Sequence, residues 1–82
     1  MNYKPELHTR IIEFESGVLS PDEFHDYINS LIPLITENHE SILRERIENL
    51  EADIELIDFT VNSIDRRAAY LKRITSFKNE LN

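Results

Sequence analysis

Cysteine and tryptophan are absent from this 82-residue chain, glycine occurs once and proline three times. Without cysteine there is no disulfide scaffold and no cysteine-based zinc motif, and such a composition suits a reducing compartment such as the cytoplasm. A single glycine excludes glycine-rich phosphate loops and leaves too few tight turns for an all-β fold. No apolar run approaches the ~18 residues of a membrane span, and the acidic start Met1-Asn2-Tyr3-Lys4-Pro5-Glu6 does not read as a signal peptide. Cations are scarce too. Nine Lys and Arg face sixteen Asp and Glu, for a formal net charge of −7. That field repels phosphate, so neither nucleic acid nor membrane is expected as a partner, and a basic protein is. The length permits one small domain, residues 1–82.

What is present is helical periodicity. Leu7, Ile11, Phe14 and Val18 form one apolar stripe, with Pro5 suited to a first helical position and Gly17 to a helix stop. Ser20-Pro21-Asp22-Glu23 carries the signature of a capping box, so a second helix is predicted from Pro21. Its apolar face is Phe24, Ile28, Leu31 and Ile35, widened by Tyr27 and Leu34, and Pro33 is predicted to kink or end it near residues 30–32. Beyond residue 38 neither Gly nor Pro occurs. Leu43, Ile47, Leu50, Ile54, Ile57, Val61, Ile64, Ala68 and Leu71 step by four and three, as a long helix or coiled-coil seam requires. The stripe then shifts to Tyr70, Ile74, Phe77 and Leu81. Phe14, Phe24 and Phe77 are assigned to the core, and Tyr3 is the aromatic expected at the surface.

Residues 59–65 come from the weaker half of the helix scale, and Asn62 and Ser63 can each start a new helix. Charge changes sign at the same place. Residues 1–36 carry a net −4, 37–58 a net −6 and 59–82 a net +3. Folding back at residues 60–64 lays the basic segment beside the acidic one. An antiparallel homodimer of unbroken helices makes the same pairing, so charge alone does not decide. The expectation is an all-α fold, a small helical bundle of three to four helices at about 5–16, 21–36, 38–60 and 64–80, the last two either separate or one long helix.

Catalytic constellations are scarce. His39-Glu40 begins like a zinc-protease helix, but Leu43 stands where the second histidine belongs. Asp22 and His25 form half of a bundle metal site with no second half. Ser20 and Ser63 read as caps rather than nucleophiles. The expectation is therefore no enzyme, no catalytic residue, no metal and no cofactor. The basic cluster Arg66-Arg67-Ala68-Ala69-Tyr70-Leu71-Lys72-Arg73 is read as neutralising segment 37–58 rather than as a nucleic-acid surface.

Within residues 11–32, Phe14, Gly17, Ser20, Glu23 and Phe24 set out a helix, a glycine turn and a Ser-x-x-Glu-Phe helix start. This layout resembles the opening of small bacterial toxin-immunity proteins, the colicin D immunity and contact-dependent growth inhibition immunity group. The resemblance implies a small cytoplasmic protein of bacterial competition that performs no catalysis. It would bind a cognate toxin domain, frequently a basic nuclease, and inhibit it by covering the active site. It supplies no motif-bound functional residue. Charge supplies candidates for partner binding: Glu13, Glu15, Asp22, Glu23 and Asp26 around the first turn, then Glu45, Glu48, Glu51 and Glu55 on the acidic helix. The alternative is a homodimeric coiled-coil-type helical adaptor or secretion chaperone built on an unbroken seam from Leu43 to Leu71. The expected states are accordingly a monomer in complex or an antiparallel homodimer.

Overall fold

The computed structural model describes residues 3–36 and 40–81. Four α-helices are present among them and no strand: α1 (Lys4–Glu15), α2 (Pro21–Leu31), α3 (Ser41–Thr60) and α4 (Arg66–Leu81), with a 3₁₀ turn (Ile32–Leu34) after α2. The predicted start of the third helix at residues 38–39 lies outside the described residues, as does His39.

Several helix ends follow from local chemistry. Gly17 adopts φ +90°, the left-handed region, and closes α1. Its N–H donates to the Phe14 carbonyl at 3.2 Å and that of Val18 to the Glu13 carbonyl at 2.8 Å, the paired bonds of a Schellman motif. A Cβ at position 17 would meet nothing within 4 Å, so the requirement for glycine is one of backbone conformation alone. The capping box at α2 is complete. The Glu23 N–H donates to Ser20 Oγ at 3.1 Å, and the Ser20 N–H donates to Glu23 Oε1 at 3.0 Å. Pro33 ends α2 at Leu31, shorter than the predicted run to residue 36. Ile35 nonetheless remains in the core after the 3₁₀ turn.

The long apolar run does not form one helix. Val61 takes an extended conformation (φ −107°, ψ 133°) and ends α3. Asn62 Oδ1 then accepts the Asp65 N–H at 2.9 Å, organising the turn that leads into α4. The chain returns antiparallel, with Asp58 beside Arg66 and Tyr70, and Asp53 beside Arg73. This break removes the seam that the adaptor alternative needs.

The buried stripes are Leu7, Ile11 and Phe14 of α1, then Phe24, Ile28 and Leu31 of α2. The longer helices contribute Leu43, Ile47, Leu50 and Ile54 from α3, and Tyr70, Ile74, Phe77 and Leu81 from α4. Phe14 sits at their junction, its ring centroid 5.3 Å from that of Phe24 and 5.9 Å from that of Tyr70. Several members of the expected stripes are displaced. Val18 and Ile64 are exposed because the turns after α1 and α3 carry them outward, Ala68 is exposed, and Val61 and Leu71 are only partly covered. The reason is geometric. Once α3 stops at Val61, α4 has its own rotational frame, and Tyr70 rather than Leu71 faces inward. Tyr3 is also less exposed than expected, since its hydroxyl donates to the Leu34 carbonyl at 3.1 Å. The exposed aromatic is Phe59.

Candidate protein-binding surface

His25 lies at the centre of the polar network. Projecting from α2, its Nδ1 is 3.0 Å from Asp58 Oδ2 and its Nε2 is 3.1 Å from Glu51 Oε1. Asp58 and Glu51 are one heptad apart on α3, so one face presents both to the same imidazole. Tyr70 of α4 donates its hydroxyl to Asp58 Oδ1 at 2.6 Å, and Arg66 Nε approaches the same oxygen at 3.6 Å. Burial depresses the His25 pKa, but the hydrogen bonds and charges of Glu51 and Asp58 together outweigh it and hold it above the ordinary histidine value. Burial and then the Asp58 hydrogen bond and charge push the Tyr70 hydroxyl far up. The network joins α2, α3 and α4. The sequence reading paired His25 with Asp22 and missed Glu51 and Asp58, although their heptad spacing was visible.

The basic segment turns inward. Of its five cations, Arg66 meets Asp58, Arg73 Nε donates to Asp53 Oδ2 at 2.6 Å, and Lys78 Nζ donates to Glu15 Oε1 at 3.3 Å. Arg67 donates to the Phe14 carbonyl and stacks its guanidinium 4.7 Å from the centre of the Phe14 ring. Only Lys72 of the five has neither an acidic nor a carbonyl partner among the described residues.

The nine candidate acids divide into engaged and free groups. Glu13 pairs with Arg10, Glu15 with Lys78, Glu23 with the Ser20 amide and Glu51 with His25. Glu48 shares an exposed i,i+4 pair with Arg44 at 3.1 Å, the kind of contact that contributes under about 0.5 kcal/mol and rearranges readily. Asp22, Asp26, Glu45 and Glu55 are exposed and have no partner among the described residues. The structure does not gather the nine acids into one patch. Those of the α1–α2 turn and those of α3 occupy separate elements.

A shallow groove of about 400 Å³ between α3 and α4 is lined by Ile42, Glu45, Arg46, Asn49, Arg73 and Glu80. It mixes both signs of charge and lacks the apolar enclosure of a small-molecule site. Among the described residues no group of three or more His, Asp or Glu side chains could hold a metal ion, and no helix is long and apolar enough to cross a membrane. No protein-family model matches the chain, and no curated protein or solved structure does either.

Proposed function

We propose that the chain is a non-catalytic, cytoplasmic immunity protein that binds a basic toxin domain of the nuclease type and covers its active site. The observation that carries this reading is the inward use of the basic segment. Four of its five cations are bound to carboxylates or a carbonyl of the same fold, so a chain with a net charge of −7 retains free carboxylates outside. Such a surface competes for cations that would otherwise hold substrate phosphates, and long-range attraction speeds capture. The layout of residues 11–32 adds the resemblance to the immunity group.

The test is genetic and biophysical together. The gene directly upstream is expected to encode a toxin whose C-terminal domain is basic. Co-expression of this chain with that domain restores growth, and the purified pair forms a 1:1 complex weakened by salt. A neighbour that is no toxin, or one whose toxicity this chain leaves unchanged, refutes the proposal. The break at Val61 favours a free monomer of 9.7 kDa, which sedimentation equilibrium checks directly.

A further inference from the structure

The chain has four phenylalanines, and three of them are completely buried, whereas Phe59 is 81% exposed. It stands in the last turn of α3, one turn beyond Leu56, which is 60% exposed, and five residues before Ile64 of the connecting turn, 89% exposed. Leu56 and Phe59 are three residues apart, so they adjoin on the helix surface. At about 100° per residue, they and Glu45, Glu48 and Glu55 all fall on the half of α3 opposite its buried stripe, within an arc of about 100°. We propose that this outer face of α3, with the tip of the α3–α4 hairpin, is the docking surface. Its occupant is a basic protein domain that receives Phe59 in an apolar recess ringed by lysine or arginine. The proposal rests on the inhibitor reading and adds its location and its anchor.

Three observations favour this face. Glu45 and Glu55 have no partner among the described residues, so binding a cation there breaks no contact described. Four of the five cations of the adjoining α4 that could cancel its field are tied to Asp58, Asp53, Glu15 and the Phe14 carbonyl, leaving Lys72. The competing surface at the α1–α2 turn keeps two unengaged carboxylates among the described residues, Asp22 and Asp26, as many as α3 has in Glu45 and Glu55, but it has no exposed aromatic beside them. An exposed apolar anchor flanked by charge is the composition of an interface centre and its rim. A second copy of the chain fits this face poorly, because an isologous contact sets the same carboxylates against one another.

The experiment uses the full chain and, as probe, the catalytically inactivated toxin domain encoded upstream, with affinity and rates measured at low and high salt. F59A is expected to weaken binding by about 30-fold or more, chiefly through faster dissociation. E45K/E55K is expected to slow association by about tenfold at low salt and less at high salt. D22K/D26K is expected to change affinity by less than about threefold. All three variants alter exposed positions, and unchanged thermal unfolding confirms that they fold. If D22K/D26K abolishes binding while F59A and E45K/E55K bind like wild type, the docking surface is overturned and the inhibitor reading survives. If the wild-type chain neither binds nor protects, both fall. If the free chain sediments as a dimer that F59A dissociates, the face belongs to a second copy and the proposal is overturned.

Discussion

Tyr70 donates its hydroxyl to Asp58 Oδ1 at 2.6 Å, a charge-assisted bond from the fully buried face of α4 to the last turns of α3. It closes the hairpin at the end where the helical seam is broken. Asp58 also meets His25 and lies beside Arg66, so this α3 carboxylate is shared by α2 and α4. Tyr70→Phe keeps the ring packed against Phe14 and removes only the donor. The expected cost is about 1–2 kcal/mol in urea unfolding, with the slope of the transition unchanged. A neutral result would mean that the bond contributes nothing net to the fold.

Tyr27 provides the contrast. Its hydroxyl is buried without a hydrogen-bond partner among the described residues. Burial, with a smaller push from the charge of Glu6, raises its pKa to about 12. Arg10 lies over the ring at 5.8 Å, a contact that phenylalanine preserves. Tyr27→Phe is therefore expected to be neutral or slightly stabilising, because it removes a buried polar group that gains nothing in the folded state. Denaturant midpoints of the two Tyr→Phe variants, measured side by side, are expected to move by clearly different amounts.

The two carboxylates around His25 make stability depend on pH. Its pKa is raised in the fold, so the imidazolium contributes stability fully below the unfolded value, near 6.5, and loses it as pH rises through the folded value. Glu51, Asp58, Tyr70 and Arg66 surround that titration. His25→Gln is expected to flatten the fall in melting temperature between about pH 6 and pH 8. The two proteins differ only at position 25, so the difference between the curves isolates His25. An imidazole pKa below 6.5 by NMR would reverse the sign and sink the prediction.

Much of the fold was legible because its punctuation is local. Gly17, the Ser20–Glu23 box and Pro33 act within a few residues, and each sits where its chemistry requires. The direction of the last helix was legible less fully. Weak helix formers and the change of charge sign marked residues 60–64 without deciding between a turn and an unbroken helix, and the four-and-three spacing ran on through Val61 and Ile64 and predicted burial for a side chain that faces water. Spacing reports a rotational frame only while the helix continues. The surface was harder still. Whether a carboxylate is free depends on which cation reaches it in space, and Glu15 is taken by Lys78, sixty-three residues away. Phe59 escaped notice for the same reason, since its exposure follows from where the core is rather than from its own neighbours.

Arg67 shows why the basic cluster behaves as structure. Its guanidinium stacks on Phe14, and it donates to the carbonyl of the same residue, so one side chain covers the C-terminal end of α1 in two ways. A favourable charge at a helix C-terminus needs only a cation, which lysine also supplies. Planar stacking combined with a directed N–H needs arginine. The two accounts separate cleanly in Arg67→Lys. If charge alone matters, the variant unfolds like wild type. The geometry instead predicts a loss of about 1–2 kcal/mol, close to that of Arg67→Ala, since both remove the stacked fork over Phe14. Neither variant is expected to weaken binding to the basic probe domain, because Arg67 faces α1 and its positive charge opposes that partner.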